Sequence, residues 1–385
     1  QWTPETNVWN TIGSARTYST PNKYLGVTNL LFRNEGNGRF TDVTKMAGLC
    51  DPEGKSMSVA VDDFNDDGWP DLFITNDTER NLLYMNQEDG TFVERGLTAG
   101  VAYDADGVTR AGMGVGVSDI DNSGARAIAI GNFSGEPVTL YTQQTKEAFI
   151  DKAMTARLSK PTKLSLTFGV LFADFNLDGY EDLIFANGHI EPEIERVRSD
   201  WEFAQLPQLF LNNRQSQFVE ITSQAGAPFQ KKMVGRCVAV ADIDGDGDLD
   251  VLLTANGGAP RLLRNDQPGA PGVVRVRLAS DGGNRDALGA CLRAHVGDQV
   301  QTRFVRTGGS YLSQSELAVT FGLGEAAAID QLDIRWPDGS VEHHQDLGRG
   351  SLYVIKKGEG IVARQALAAG SRAVARSDRG SSDIP

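Results

Sequence analysis

Short apolar runs recur along the first two thirds of the chain, and they come in pairs. Segments 29–34 and 40–44 make the first pair, separated by a Gly-rich turn. The pattern returns at 81–86 with 92–94, at 138–141 with 149–151, and at 208–212 with 218–222, and a lone run follows at 261–265. Between pairs stand two further apolar segments, such as 238–241 and 251–253, one on each side of an acidic loop. Runs of this length, rich in β-branched and aromatic residues and bounded by turn residues, predict strands. The unit is therefore strand, acidic loop, strand, connection, strand, turn, strand. Four antiparallel strands in about fifty residues is how a β-propeller blade reads. A calcium-binding β-helix is the competing all-β arrangement, but its repeats are much shorter.

Past residue 271 the rhythm becomes strict alternation, at 273–278, 301–306 and 329–336, with turns at Gly282 and Gly283 and at 337–339. This predicts a small antiparallel β-sandwich or barrel. The expected division is 1–23, an N-terminal segment of uncertain structure; 24–267, propeller repeats; 268–358, the second β module; and 359–385, a flexible tail. Pro268, Gly269, Pro271 and Gly272 make 266–272 an irregular connector. The tail is rich in Gly, Ala, Ser and Arg and has few large apolar groups to bury. A helix over 363–375 is the lesser alternative there.

The acidic loops share one spacing. In the clearest, carboxylates stand at positions 1, 3, 5 and 9: Asp242, Asp244, Asp246 and Asp250. Gly247 follows the third, where the backbone turns sharply and a Cβ would obstruct it. Asp248, at position 7, is expected to offer its carbonyl and to leave its side chain to water. Carboxylates this close repel one another unless a cation sits between them, and Ca2+, which takes six to eight oxygens, suits them. Leu253 occupies the place where an EF-hand needs Glu, and the apolar run that follows is a strand. Asp63, Asn65, Asp67, Trp69 and Asp71 repeat the pattern, as do Asp174, Asn176, Asp178, Tyr180 and Asp182, with Trp69 and Tyr180 contributing carbonyls. A fourth copy keeps Asp119 and Asp121 but has Ser123 at position 5 and Ala127 at position 9. It is expected to be empty or weakly held. About three structural Ca2+ sites follow, against the alternative of solvated acidic turns without metal.

Composition narrows the classes. The 385 residues include 43 Gly and are only 8% aromatic, which suits short strands and tight turns. A formal net charge of −14 argues against nucleic acid, whose binders carry basic patches. No run of about eighteen apolar residues exists to span a membrane. The start at Gln1 is read as a removed leader or as a piece of something longer. Cys50, Cys237 and Cys291 are an odd count, compatible with one disulfide and a free thiol, and their pairing stays open. Calcium loops of modest affinity serve where calcium is near millimolar, so an extracellular or periplasmic location is expected.

Phe168, Gly169, Asp174, Phe175 and Asn176 resemble the FG-GAP/VCBS type of propeller repeat, in which a calcium loop joins the first two strands of a blade. The module after residue 271 resembles the ASPIC/UnbV domain through four motifs in order. These are Asn284 to Ala290; Gly309, Ser310, Tyr311, Leu312 and Ser313; Phe321, Gly322, Leu323 and Gly324; and Trp336, Pro337, Asp338 and Gly339. The two together, from about residue 24 to 355, resemble the cartilage-acidic-protein-like family, as does the insertion at 187–190. The resemblance implies a metal-loop propeller followed by a small β module. Propellers of this kind usually carry more units than the four found here. Either upstream blades or another chain complete the ring, or segment 40–44 closes the last blade.

Two functions fit. The first is a secreted calcium-binding scaffold that meets another protein or a glycan. Asn76 and Asn132 stand in glycosylation sequons, which matter only in a eukaryotic secretory pathway. The second is an enzyme or biosynthetic accessory protein with a site on the propeller axis, drawing on acids such as Asp104, Asp106 and Glu191. His189, near Glu191, Glu193 and Glu195, is either part of such a site or part of a polar loop decorating one face. With four His and no His-Glu-x-x-His motif, nucleophile elbow or P-loop, the catalytic inventory is thin, and the scaffold is the favoured reading.

Overall fold

The computed structural model describes residues 10–12, 15–267 and 272–368. Two small hairpins come first, β1 (Asn10–Ile12) with β2 (Ala15–Thr17) and β3 (Phe32–Gly36) with β4 (Arg39–Asp42). Four antiparallel sheets follow. The first is β5 (Ser56–Asp62), β6 (Asp71–Asn76), β7 (Leu82–Asn86) and β8 (Phe92–Glu94). The second is β9 (Val115–Ser118), β10 (Ala127–Ile130), β11 (Thr139–Thr145) and β12 (Ala148–Asp151). The third is β13 (Thr167–Ala173), β14 (Asp182–Asn187), β15 (Gln208–Asn212) and β16 (Phe218–Glu220). The fourth has β17 (Gly235–Ala241), β18 (Asp250–Ala255) and β19 (Gly258–Leu263). Each is an up-and-down meander whose first turn is an acidic loop, as the apolar spacing predicts for a propeller blade.

The blades stack face to face. In β10, Ile128 and Ile130 pack with Phe64 and Phe73 of the first blade, while Ala127 and Ala129 pack with Val170, Phe172 and Phe185 of the third. Both faces of such a strand are buried, which is why its sequence is apolar at consecutive positions. The first strands stand side by side, β5 beside β9, β9 beside β13 and β13 beside β17. A repeated Asn closes each of the first three blades at the far end. Asn76, Asn132 and Asn187 end or follow the second strand and donate their amides to the carbonyls of Arg80, Pro137 and Leu206, just before the third. Asn76 and Asn132 are fully buried, so the two sequons hold structural amides rather than sites open to a glycan.

The C-terminal module is a sandwich. Strands β20 (Val273–Ala279), β23 (Val319–Gly322), β26 (Ser351–Lys356) and β27 (Gly360–Ala366) form one sheet in the order β23-β20-β26-β27. Strands β21 (Cys291–Val296), β22 (Gln299–Phe304), β24 (Ala328–Arg335) and β25 (Val341–Gly348) form the other, in the order β22-β21-β24-β25. Val274, Val276, Leu292, Phe321, Ile334, Trp336 and Ile355 fill the space between them.

Three expectations change. Strand β4 pairs with β3 alone, so 40–44 does not close the last blade, which stays three-stranded. Leu30, Phe32 and Phe40 of this hairpin region are more than half exposed, whereas Leu82 and Tyr84, at equivalent places in a complete blade, are buried in a cluster with Ala47, Leu49 and Ile74. The tail expected from 359 begins with strand β27, held by its ladder to β26 rather than by apolar burial. Residues 363–366 are therefore strand, not helix, and 369–385 lie outside the described residues, as do 268–271 of the expected connector.

Candidate metal loops and the module that covers them

The four acidic loops fold alike because their carboxylates cap their own backbone. At position 1, Asp63 accepts the N–H groups of Asp67 and Gly68 (both 2.9 Å), Asp174 those of Asp178 and Gly179 (3.0 and 2.8 Å), and Asp242 those of Gly245 and Gly247 (2.7 and 3.1 Å). The glycines at position 6 take the left-handed backbone, with φ of 101°, 92° and 100° for Gly68, Gly179 and Gly247. At position 9 one oxygen takes the amide of position 2 and the other reaches the end of the third strand. Asp71 thus holds Phe64 and Asn86, Asp182 holds Phe175 and Asn212, and Asp250 holds Ile243 and Asn265.

The incomplete copy wraps Asp119 around Ser123 and Gly124 in the same way, at 3.0 and 2.9 Å. At position 9 its Ala127 leaves the third strand unpinned by a carboxylate. Gln143 takes over by accepting the Arg126 amide (2.9 Å). Loop shape alone therefore does not separate complete copies from the incomplete one.

The donor set is what fits a hard cation. Carboxylate oxygens of Asp242, Asp244 and Asp250 lie within 4.8 Å of one another. That is the spread expected of oxygens around one ion at 2.3–2.6 Å. Burial, together with neighbouring carboxylates, pushes Asp71 and Asp174 up to about 7 and Asp182 well above the usual carboxylate range. Side chains so disfavoured as anions are those a divalent cation would stabilise. Asn65 and Asn176 accept the amides of Asp67 and Asp178 (both 3.2 Å), while Trp69 and Tyr180 donate theirs to Asp67 and Asp178. Asp248 departs from expectation. Its side chain is buried rather than facing water, and it accepts the Gln267 amide at 2.8 Å. The neighbouring Asp246 accepts the amide of Asp248 at 3.2 Å.

Arginines and glycines of the C-terminal module sit on these loops, which no local pattern in the sequence signals. Arg335 reaches Asp63 at 2.6 Å, and Arg293 reaches Asp66 at 3.1 Å. Arg275 reaches Asp242 at 2.8 Å and also meets Glu316. Arg303 lies 3.4 Å from Glu181, one residue before the end of the third loop. Gly322, of the Phe-Gly-Leu-Gly motif, packs so close to Asp174 that a Cβ there would stand 2.0 Å from its carboxylate. Leu367 lies against Gly247, and Ala368 donates to the Gly245 carbonyl (2.7 Å).

The axis itself is threaded by residues 305–318. Ser310 donates to the Val115 carbonyl of β9 (2.9 Å), and its hydroxyl accepts the Val170 amide of β13 (3.1 Å). Ser315 accepts from Val240 of β17 (3.1 Å), whose carbonyl takes the Glu316 amide (3.1 Å). Beside the segment a cavity of about 150 Å³ remains. Ser310 and Leu312 hold left-handed backbones, φ 61° and 45°, a strain these contacts sustain.

The acids proposed for an axial site are not gathered there. Asp104 and Asp106 share a turn in which Asp104 pairs with Arg110 (3.3 Å), and Glu191 is buried near Tyr18. His189 is also buried, its ring 5.2 Å from Phe133 and 5.7 Å from Trp201, and its Nδ1 accepts the Glu191 amide at 3.0 Å. Burial lowers its pKa to about 4, helped by nearby Arg236. Below the ordinary value of 6.5 the unfolded chain takes up a proton that the folded one refuses, so stability falls as pH drops from 6.5 towards 4. The loss is on the order of 2 kcal/mol, and His189→Asn should flatten that window in urea unfolding curves. Parallel curves for the two proteins would refute it. Cys50, Cys237 and Cys291 are all free thiols.

Comparison with known proteins agrees with this architecture. Residues 280–362 match the ASPIC and UnbV family, and 18–74 and 63–130 match the FG-GAP-like repeat. Cartilage acidic protein 1 of Homo sapiens is 28% identical over 309 residues, covering 78% of this chain and 43% of the relative. The Xenopus tropicalis protein of that name is 28% identical over 281 residues, covering 70% and 40%. The chain thus spans about two fifths of the length of these relatives. Among solved structures, an Agrocybe aegerita lectin that recognises terminal N-acetylglucosamine aligns at 14% identity over 84% of this chain and 89% of its own. The TM-score is 0.37, too distant a likeness to carry an argument. FG-GAP-like repeats followed by an ASPIC and UnbV module, together with the 28% identity to cartilage acidic protein 1, make the chain similar to the cartilage-acidic-protein-like family.

Proposed function

We propose that this chain is a calcium-binding β-propeller scaffold, acting outside the cytoplasm, that holds another protein or a glycan. The convergence of Asp242, Asp244 and Asp250 carries the reading, and the loops beginning at Asp63 and Asp174 repeat the donor spacing. Asp63, Asn65, Asp67 and Asp71 would hold one ion with the Trp69 carbonyl, and Asp174, Asn176, Asp178 and Asp182 a second with that of Tyr180. Asp242, Asp244, Asp246 and Asp250 would hold a third with the carbonyl of Asp248. Bound Ca2+ supplies fixed positive charge among buried carboxylates, and its role is structural. Asp119, Asp121 and Ser123 are too few for a comparable site. Among the described residues no helix is long and apolar enough to cross a membrane.

The alternative of an enzyme site on the axis meets an axis filled by residues 305–318. Calcium titration of the metal-stripped chain should give about three ions per molecule, with Asp67→Ala, Asp178→Ala and Asp246→Ala each removing one. Absence of binding at millimolar calcium would overturn the reading.

A further inference from the structure

Two arginines of the C-terminal module sit on oxygens that would hold an ion, and the loops beneath show what these arginines are not needed for. The position-1 carboxylates are already held by their own backbone. Asp63 takes the amides of Asp67 and Gly68 on separate oxygens, and Asp242 those of Gly245 and Gly247. Asp174 and Asp119 are wrapped in the same way by amides of their own loops, with no arginine bonded to either among the described residues. The orientation of Asp63 and Asp242 therefore does not depend on an arginine.

What the arginines add is charge. Arg275 is only 4% exposed. Its Nη1 donates to Asp242 at 2.8 Å, on the oxygen that also takes Gly247. Its Nε donates to Thr320 at 3.2 Å, and its Nη2 meets Glu316, so strand β23 and the axial segment fix it in place. Arg335 donates to Asp63 at 2.6 Å, again on the oxygen that takes the position-6 glycine, and lies 3.6 Å from Asp66. In a loop without metal, each guanidinium offsets part of the repulsion among the carboxylates. A divalent cation would offset the same charge, while sharing Asp242 or Asp63 with a fixed positive group. Like charges this near cost about tenfold in affinity, and more where water is excluded. The loop at Asp174 has no such group on its first carboxylate, where the sandwich lays Gly322 instead.

We infer that Arg275 and Arg335 set the calcium affinity of the loops at Asp242 and Asp63, holding it down and tying ion uptake there to the seating of the sandwich. The inference concerns the same metal loops and rests on the calcium-scaffold reading. Coupling between two bound groups is reciprocal, so an ion in either loop also weakens the hold of the arginine on it. Calorimetric titration of the full, metal-stripped chain with calcium chloride tests this, paired with urea unfolding in EDTA and in calcium. Arg275→Met should raise the affinity of one site about tenfold, and the gain should vanish when Asp246→Ala is added. Its stability loss should be larger in EDTA than in calcium, because the ion replaces the missing charge. Arg335→Gln should act likewise at the site that Asp67→Ala removes, and it keeps the test decisive should Arg275→Met fail to fold. The control is Arg264→Met. Half-exposed Arg264 stands 3.8 Å from Asp244, and its loss should move affinity by less than about twofold. An arginine that merely supported the fold would lower affinity on removal. Unchanged or lower affinity in the variants, or failure of both to fold even in calcium, would therefore overturn the inference. With three ions still bound by the unsubstituted chain, those results would leave the scaffold reading standing, whereas no binding to that chain at millimolar calcium would overturn both.

Discussion

Replacing Asp62 by Ala is expected to cost about 3–5 kcal/mol, since breaking a buried ion pair leaves its partner charge uncompensated. The Asp62 side chain has no exposed surface and is shared by two guanidinium groups, Arg126 at 2.9 Å and Arg306 at 3.0 Å. Both arginines also stand over the ring of Phe304, at 4.5 and 5.8 Å from its centroid. Asp62 belongs to the first blade, Arg126 to the second, and Arg306 and Phe304 to the C-terminal module, so one carboxylate ties three units together. Removing it strands two cations, of which Arg126 is fully buried. Urea unfolding measures the loss, with Asp200→Ala as the control. Asp200 pairs with an exposed arginine, Arg198, in a contact that solvent screens, and its removal should be silent. A loss below about 1 kcal/mol for Asp62→Ala would show that the cluster contributes little net energy.

Chelation with EDTA should lower the melting temperature of the whole chain in a single transition. An ion that binds only the folded form adds RT ln(1 + [L]/Kd). With millimolar calcium and a Kd about tenfold lower, this gives ~1.4 kcal/mol per site and ~4 kcal/mol over three. That is a large share of the ~5–15 kcal/mol by which domains are usually stable. Read from sequence alone, the C-terminal module carries no metal loop and should melt apart from the propeller. The structure removes that independence. Arg335 and Arg275 rest on Asp63 and Asp242, Gly322 lies on Asp174, and residues 305–318 occupy the axis. Asp246→Ala should reproduce part of the shift, and Ser123→Ala little of it. Calorimetry that resolves two transitions, with only the first moved by EDTA, would refute the coupling. A melting curve indifferent to EDTA would refute structural calcium.

The blades were legible in the chain because each repeats the same short-range rules. Apolar pairs flank turns, and an Asp at position 1 is followed five residues later by a Gly. Such rules act over a few residues, and they placed β5 to β18 and the start of every loop. What they could not reach is what joins distant segments. The Arg335–Asp63 and Arg306–Asp62 pairs span 272 and 244 residues, and nothing local to an arginine on an alternating strand names its partner. The Gly-Ser-Tyr-Leu-Ser motif was visible as a signature, but its polarity suits a surface turn as well as a threaded axis. Asp248 was misread for the same reason, since its partner, the Gln267 amide, lies beyond the next two strands. Strand β27 was missed because a ladder to β26 holds it, and a backbone ladder leaves no apolar trace in sequence.

The threading of residues 305–318 sets the order in which the molecule can be finished. Ser310 closes onto Val115, roughly two hundred residues upstream, so the blades leave the ribosome before the segment that occupies their centre. Until it arrives, the carbonyls of Val115 and Val240 and the amides of Val170 and Val240 lack the partners it brings. Closure over so long a stretch of chain is slow, and unpaired strand groups waiting for it are a hazard for aggregation. A chain interrupted before residue 305 has every blade strand but lacks the segment that fills their centre.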